Sequence, residues 1–318
     1  MRTSKTGGAN EGAKLGRKFE AWGLIRRALR TTRGRVGAVL VALVLIVCII
    51  GPFIAPHSPT AFVTTPYGPP SSVALLGGDN LGRDVLSRVL CGGWLLLLSA
   101  LAATLLGVAA GSAAGLTAAY SGGRVDGLIM RCVDVLLAFP ALVLALLLVS
   151  VAGPELWLVV VAVALAHAPQ VARVIRASAL DIAERDFVHA TELLGERPRR
   201  VVSREILPSL TSPLMVEAGL RLTYSIMIIA GLSFLGFGLQ PPSPNWGAMI
   251  NENRNGLGVG PGTNNWGVMA PVFLIAVLTV GVNTLTDTVA RVSLGIQRSS
   301  DSQPVADPDL LLVTGGPA

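Results

Sequence analysis

Residues 36–54, with the sequence VGAVLVALVLIVCIIGPFI, form a run of 19 residues without a charged side chain. At a rise of 1.5 Å per residue, a helix over this run is about 28 Å long, which matches the hydrocarbon core of a bilayer. Lipid offers no partners for backbone hydrogen bonds, whereas a helix satisfies them within the segment. The run therefore predicts a transmembrane helix over 36–54.

Further apolar runs of similar length follow along the chain. They predict membrane spans at about 94–119, 128–152, 156–174, 214–235 and 267–289. The 318 residues are 52% hydrophobic and 14% charged, with a mean hydropathy of +0.63, whereas about a quarter of the residues in a globular protein are charged. We therefore expect an all-α integral membrane protein with about six transmembrane helices and no separate soluble core.

The positions of Lys and Arg predict how these helices are oriented. Of the 25 such residues, 10 precede residue 36 and 11 more fall in later segments on the same side of the membrane. The opposite side holds only Arg83, Arg88 and Arg254, and Arg221 lies within a span. Because cytoplasmic loops carry the excess of basic residues, both termini and the loop at 175–213 are expected to be cytoplasmic. The loops at 56–92 and 236–266 are then external.

This pattern divides the chain into a basic tail at 1–35, a transmembrane domain at 36–297 and a disordered tail at 298–318. In residues 14–30, apolar side chains recur at spacings of three and four, opposite basic side chains. This pattern favours an amphipathic helix lying on the membrane surface, and a helix packed on protein is the alternative. The apolar positions are Leu15, Phe19, Trp22, Ile25 and Leu29. No short apolar region with a cleavage site follows the tail, so we expect no cleaved signal peptide.

Several functions are disfavoured by composition. The formal charge of +6 and the pI near 9.8 do not indicate nucleic-acid binding, because the arginines flank apolar runs instead of forming one basic face. Three widely spaced cysteines support neither a disulfide framework nor a metal site. The only lysines, Lys5, Lys14 and Lys18, do not end a Gly-rich phosphate loop. We expect no catalytic residue, metal or cofactor in this chain, and hence no enzyme.

The loop at 175–213 contains a predicted helical hairpin. Phe187, Ala190 and Leu194 recur at helical spacing, Gly195 suits the left-handed residue that ends a helix, and Pro198 suits the first turn of the next. A solvated loop would explain the alternating charges nearby. It would not explain three apolar side chains on a hairpin too small to bury them, which indicates that another protein docks there.

The same loop resembles the EAA loop of binding-protein-dependent ABC importer permeases. The matching segments are ATELLG at 190–195 and, after nine intervening residues, EILP at 205–208. The resemblance implies that the hairpin fits a groove on a separate ATPase subunit. We assign this contact to Phe187, His189, Ala190, Thr191, Leu194, Gly195, Arg199, Arg200, Leu207 and Pro208. His189, Thr191 and Glu205 depart from the usual family residues, which bears on the choice of ATPase partner.

Three other segments resemble one branch of that family, the dipeptide, oligopeptide and nickel permeases. They are LLGGDNLGRDVLSR at 75–88, LSFLGFGLQPP at 232–242 with NWG at 245–247, and the final Asn283, Asp287 and Arg291. After them, Ser293-Leu294-Gly295 replaces the family's usual Leu-Asp-Pro. The short loop at 56–92 is similar to that of the C-type subunit. The resemblance covers about residues 30 to 298.

This resemblance implies a type I ABC importer permease fold in the bacterial cytoplasmic (inner) membrane. It also implies a multi-subunit complex that imports peptides. The expected partners are a homologous B-type permease subunit, two ABC ATPase domains that bind ATP and Mg²⁺, an extracytoplasmic substrate-binding protein and the lipid bilayer.

Polar residues within the predicted spans are candidates for the translocation path. Glu217 and Arg221 are one helical turn apart and can pair. With Ser233 they are assigned to the path, although a pair that only locks helices together or contacts headgroups is the alternative. Anchoring at the cytoplasmic boundary is the expected role of two other polar sets. They are the i, i+3 pair Arg131 and Asp134, and the helix face shared by Asn283, Asp287 and Arg291. Arg83 and Trp246 are assigned to the binding-protein contact, while interfacial anchoring explains Trp246 equally well.

Two functions from other classes are alternatives to an importer permease. An intramembrane hydrolase would use Ser233 as nucleophile and His167 as base, and would also need a positioned oxyanion site. A secondary transporter driven by an ion gradient would usually carry an internal repeat with broken helices, and the sequence contains no convincing repeat.

Overall fold

The computed structural model describes residues 23, 26–238, 243–258 and 264–301, and this part of the chain is helical with two isolated β-bridges. Residues 26–30 are helical. The helices that follow are α1 (Thr32–Ile54), α2 (Val85–Cys91), α3 (Trp94–Ser121), α4 (Gly123–Leu137), α5 (Ala141–Ala152), α6 (Leu156–Ala183), α7 (Asp186–Leu193), α8 (Pro198–Val201), α9 (Leu207–Ser209), α10 (Thr211–Phe234), α11 (Trp246–Asn253) and α12 (Trp266–Asp301). A π-helical turn occupies Val202–Ile206. The spans α1, α3, α6, α10 and α12 are long and apolar enough to cross a membrane, and the bent pair α4–α5 brings the number up to six.

The tightest helix contact joins α3 to α6. Gly107, Gly111 and Gly115 lie one turn apart on α3, where a Cβ atom would lie 2.9, 2.5 and 2.5 Å from a carbonyl oxygen of α6. The facing residues are Ala164, Ala168 and Ala172. Lipid tails are as apolar as the side chains, so helices in a membrane associate through close packing of such small residues.

Other helices surround this pair. Gly37 of α1 faces Gly281 of α12, where a Cβ atom would lie 3.0 Å from the Gly281 carbonyl oxygen. Thr104 Oγ1 of α3 donates to Ser225 Oγ of α10 at 3.1 Å. A buried apolar core fills the space between the spans and includes Leu96, Val163, Ile226, Trp246 and Leu278. Large apolar side chains of α1 and α12, such as Phe53 and Phe273, are exposed, as expected of surfaces in contact with lipid.

The predicted third span over 128–152 is wrong as a single straight helix. Two helices, α4 and α5, replace it and meet at an angle of 88°. The break lies at Phe139-Pro140, and Pro140 precedes the first residue of α5. Proline has no backbone N–H and disfavours the helical conformation in the residue before it, so the first helix ends at Leu137.

Other boundaries also differ from those predicted. The fourth span was expected to end at residue 174, but α6 continues to Ala183; α12 continues to Asp301, into the predicted tail. The expected external loops contain α2 and α11. Asp84 begins α2 by accepting a hydrogen bond from the Ser87 backbone N–H at 3.0 Å. Most of the predicted surface helix at 14–30, and residues 302–318 of the tail, lie outside the described residues.

We predict that Gly111→Ala lowers the stability of the folded chain. The new methyl group would lie 2.5 Å from the Ala168 carbonyl oxygen, and forcing the two helices apart costs about 1–3 kcal/mol. Gly127→Ala is the matched control, because Gly127 lies on helix α4 with no atom within 4 Å of a Cβ position. Thermal unfolding of the purified protein in detergent checks this. Equal midpoints for the two variants would contradict the close contact.

Candidate functional site: the helical hairpin and the buried polar clusters

The predicted hairpin is present at residues 186–210 and turns at Gly195. Helix α7 ends at Leu193, and Gly195 in the turn that follows has a φ of +76°, a conformation that glycine adopts without strain. The Glu196 N–H donates to the Thr191 carbonyl oxygen at 3.4 Å, which is the long hydrogen bond of a Schellman motif. A glycine turn between two short helices is thereby confirmed.

One face of the hairpin is anchored on the bundle. Val188, Val201, Ile206 and Leu210 are each at most 2% exposed. They form a cluster with the last turns of α6, which contribute Ile175, Ala179 and Ile182. The periodicity of Phe187, Ala190 and Leu194 did not predict this anchor, because the anchoring residues of the hairpin are Val188, Val201, Ile206 and Leu210. The hairpin is consequently joined to α6 by an apolar core of its own.

The other face of the hairpin is exposed. Leu193 and Leu194 are 89% and 83% exposed, although they lie at the end of a short helix, outside the membrane-spanning helices. Ala190 and Gly195 are exposed beside them, and Arg200 pairs with Glu196 at 2.7 Å. Exposed leucines at the end of an anchored segment form a small apolar surface suited to a protein partner. We call Ala190, Leu193, Leu194 and Gly195 the hairpin tip.

The remaining residues predicted for the ATPase contact are distributed around the tip. Thr191, Leu207 and Pro208 are half-buried, while the side chains of Phe187, His189 and Arg199 lie outside the described part of the structure. In the π-helical turn before Pro208, the Leu207 N–H donates to the Val202 carbonyl oxygen five residues back. Such turns are frequent at functional sites. The assignment of these residues to an ATPase contact stays a prediction.

The expected pair within the fifth span is confirmed. Arg221 Nε donates to Glu217 Oε2 at 3.1 Å, and both side chains are less than 10% exposed. Arg221 also donates to Gln170 of α6, and its guanidinium lies 5.4 Å from the centre of the Tyr224 ring. Glu217 borders a cavity of about 200 Å³ between α6, α10 and α12. The pair is therefore a neutral polar site between three helices.

Ser233 is buried but lies far from the Glu217–Arg221 pair. Twelve residues separate it from Arg221 on the same helix, which is about 18 Å, and it packs against Gly247. His167 lies beside Gly107 of α3, near the level of the Thr104–Ser225 bond. Ser225 is eight residues from Ser233, about 12 Å along the helix. Neither ring nitrogen of His167 has a hydrogen-bond partner among the described residues, so no Ser–His pair of a hydrolase is formed.

Of the two polar sets predicted to act as anchors, only the pair of Arg131 and Asp134 differs from the prediction. Asp134 accepts from Arg173 of α6 at 2.5 Å, so the observed ion pair of Asp134 joins two helices and does not involve Arg131. Asn283, Asp287 and Arg291 are all exposed on one face of α12, as their spacing predicted.

At the end of the bundle opposite the hairpin, four charged side chains form a buried cluster that the sequence did not predict. Arg83 donates to Asp79 at 2.6 Å and to Glu252 at 2.7 Å; Arg88 donates to Glu252 at 2.7 Å and also to Asp79. Asp79 and Arg88 are fully buried and Arg83 is 4% exposed. These residues, Asp79, Arg83, Arg88 and Glu252, are called the loop ion cluster.

Neutral hydrogen bonds reinforce the loop ion cluster. Asn253 accepts from the Asn80 backbone N–H at 2.9 Å, and Asn264 donates to the Gly78 carbonyl oxygen at 3.0 Å. Trp246 is fully buried and donates from Nε1 to the Val89 carbonyl oxygen at 2.8 Å. Residues of the segment 78–89 are thereby fixed to Trp246, Asn253 and Asn264.

The burial of Arg83 and Trp246 bears on their predicted roles. Arg83 forms part of the loop ion cluster and Trp246 part of the core, so both hold the two segments together. A fully buried Trp246 does not anchor in the headgroup region. Contact of either residue with a binding protein stays a prediction, and the position of both side chains favours an indirect role in shaping the surface above them.

We predict that Asp79→Asn destabilises the chain by about 3–5 kcal/mol, because it leaves two buried guanidinium groups with one carboxylate. Asp134→Asn is the control, since Asp134 and Arg173 are 61% and 59% exposed and exposed pairs contribute little. Chemical denaturation followed by tryptophan fluorescence measures both variants. A loss no larger for Asp79→Asn than for Asp134→Asn would contradict the importance of the cluster.

Comparison with solved structures agrees with the fold. The structure described as inward facing conformations of the MetNI methionine ABC transporter matches with a TM-score of 0.52 and 18% identity, over 66% of this chain and 96% of that chain. A second crystal form of the same transporter gives 0.51 and 17%. At this level of identity the likeness concerns the fold alone.

Sequence relatives are closer. A putative peptide transport system permease protein of Brucella suis biovar 1 is 38% identical over 231 residues, which is 72% of this chain and 78% of that protein. The di/tripeptide transport system permease protein DppC of Pseudomonas aeruginosa is 37% identical over 70% of this chain and 76% of its own length. A probable D,D-dipeptide transport system permease protein of Escherichia coli is 36% identical, over 69% and 74%.

Family models cover most of the chain. Residues 21–70 match the N-terminal TM domain of oligopeptide transport permease C. Residues 103–293, more than half of the chain, match the model described as binding-protein-dependent transport system inner membrane component. These residues include the buried polar pair, the hairpin and most of the membrane spans. The chain therefore belongs to the family of binding-protein-dependent transport system inner membrane components.

Proposed function

We propose that this chain is the C-type permease subunit of an ATP-driven importer of peptides. Its relatives are named as peptide, di/tripeptide and D,D-dipeptide permeases, which supports a peptide substrate. The chain forms the translocation path with a homologous B-type subunit. Two separate ATPase domains bind ATP and Mg²⁺, and an extracytoplasmic binding protein delivers the substrate. Both termini and the hairpin lie on the cytoplasmic side.

The observation that carries this proposal is the hairpin tip. Leu193 and Leu194 expose most of their surface to water on a segment that is firmly anchored. Exposed apolar groups of this kind gain free energy when a partner covers them, about 25 cal/mol for each Å² removed from water. A partner ATPase that holds the tip would move α6 with it, because the same cluster joins the hairpin to α6.

The path itself is assigned to the surroundings of Glu217 and Arg221. Their mutual neutralisation lets two charged groups lie within a span without an unpaired charge in lipid. Glu217 borders a cavity, and Arg221 contacts both α6 and Tyr224. A relative movement of α6 and α10 would therefore change the shape of this polar site. At the opposite end, the loop ion cluster supports the surface on which the binding protein docks.

Leu194→Asp tests the docking step. A carboxylate on the tip places a charge in an apolar contact, so we expect the ATPase subunits to be lost from the purified complex and ATP-dependent uptake to fall at least tenfold. The chain itself should still fold, because Leu194 is 83% exposed. Copurification and vesicle uptake measure the two effects.

The matched control for Leu194→Asp is Leu75→Asp, at a leucine that is 62% exposed in the loop at the other end of the bundle. This variant should keep its ATPase subunits. Equal copurification and equal uptake for the two variants would reject the hairpin tip as the docking surface.

The pairing of Glu217 and Arg221 makes a second prediction. Glu217→Leu leaves Arg221 as an unpaired buried charge, which is more costly than having no charge at the site. We expect a larger loss of correctly inserted protein from Glu217→Leu than from the double variant Glu217→Leu/Arg221→Leu, measured as monodisperse yield from membranes. If the double variant is equally or more damaged, the pair does not act as a unit.

A further inference from the structure

Helix α4 lies at the level of a membrane surface. Leu156 begins the span α6, and the two residues of α6 that bind α4, Arg173 and Arg176, follow 17 and 20 residues later. At 1.5 Å per residue this distance is about 26–30 Å, the thickness of the hydrocarbon core. If α6 enters the membrane at Leu156, α4 therefore crosses α6 where the span leaves the membrane.

The direction of α4 also fits a surface position. Helix α5 continues from α4 at an angle of 88°. If α5 runs along the membrane normal, α4 therefore lies roughly in the plane of the membrane. Asp126 and Asp134 are eight residues apart on α4, whereas the two arginines of α6 that bind them are only three residues apart. Eight residues of helix measure about 12 Å and three measure about 4.5 Å. Helix α4 therefore runs across α6 instead of alongside it.

An apolar stripe on α4 is left uncovered. Val125, Leu128, Cys132 and Val135 follow one another at spacings of three and four, which places them on one face of the helix. Val125, Leu128 and Val135 are 48%, 65% and 64% exposed, and Cys132 is exposed as well. We call these four residues the α4 stripe.

The charges of α4 are divided between two faces. Its acidic residues are both bound by arginines of α6: Asp126 accepts from Arg176 at 2.5 Å through both oxygens, and Asp134 accepts from Arg173. Arg124 and Arg131 are exposed and have no ion pair within the described part of the chain. They lie seven residues apart, on the same edge of the α4 stripe. That edge therefore carries two uncompensated positive charges.

We propose that α4 lies in the plane of the membrane at the headgroup level. The α4 stripe inserts among the acyl chains, and Arg124 and Arg131 bind the phosphates of anionic phospholipids. An apolar face beside exposed basic residues is the pattern of a helix bound at the membrane interface. The two positive charges of Arg124 and Arg131 are complementary to the negative charge of such lipids. This assignment goes beyond the transport function and does not depend on it.

The native Cys132 allows the proposal to be tested directly. The full chain, with Cys48→Ala and Cys91→Ser, carries a bimane fluorophore on Cys132 and is placed in mixed phosphatidylglycerol and phosphatidylcholine vesicles. Spin-labelled lipid should quench the fluorophore strongly and aqueous iodide weakly. In the control, Gly127→Cys with Cys132→Ser, iodide should quench more than at Cys132, because Gly127 is exposed outside the α4 stripe. Equal iodide quenching at the two positions would overturn the insertion of the stripe.

The same label tests the headgroup. At equal mole fractions in the vesicles, spin-labelled phosphatidylglycerol should quench the fluorophore more than spin-labelled phosphatidylcholine. The preference for phosphatidylglycerol should fall about fivefold with each of the substitutions Arg124→Gln and Arg131→Gln. Arg254→Gln, an exposed arginine outside α4, should leave the preference unchanged. A preference that survives the double substitution would overturn the headgroup assignment.

A final arm distinguishes lipid from a protein partner. In native membranes, a benzophenone attached to Cys132 should crosslink to phospholipid upon illumination. Crosslinking to another protein chain would show that the α4 stripe is a subunit interface, and would overturn the proposal.

Discussion

The backbone contact between α3 and α6 is the constraint on which the other features depend. Gly107, Gly111 and Gly115 admit α6 so closely that any side chain would collide with its carbonyl oxygens. Such packing replaces the hydrophobic driving force that is absent inside lipid. Because α6 is held along much of its length, its last turns project from the bundle in a fixed direction, and they carry both the hairpin and the two arginines that bind α4. A displacement of the hairpin tip is therefore a displacement of α6 and α3 together.

Each end of the bundle uses a different interaction to fix its loops. At the hairpin end, the anchor is apolar, with Val188, Ile206 and Leu210 against α6. At the opposite end, the loop ion cluster and its asparagines bind segments more than 160 residues apart in the chain. Buried ion pairs demand a defined geometry, because a partner lost in the interior leaves a charge without compensation. The polar pair Glu217–Arg221 lies between these two ends, next to a cavity and in contact with α6.

Much of this architecture could be predicted from the sequence. Apolar runs of about 20 residues predicted the spans, since a helix satisfies the backbone hydrogen bonds within the segment. The Gly195 turn and the Glu217–Arg221 pair followed from local spacing. The bend at Pro140 was missed because hydropathy alone does not register a change of direction. The loop ion cluster was missed because Glu252 is distant in sequence from Asp79 and Arg88, and nothing local marks it as their partner. The glycines of α3 recur every four residues, a spacing that is itself typical of close helix packing in membranes.

The central claim is that the hairpin tip is cytoplasmic and is covered by a separate ATPase protein. The most direct measurement is labelling of Leu194→Cys, in a chain whose native cysteines are replaced, by a maleimide that does not cross membranes. We expect no labelling in intact cells, labelling in inside-out membrane vesicles stripped of ATPase, and protection when the ATPase is restored. Labelling of this position from outside intact cells would contradict it.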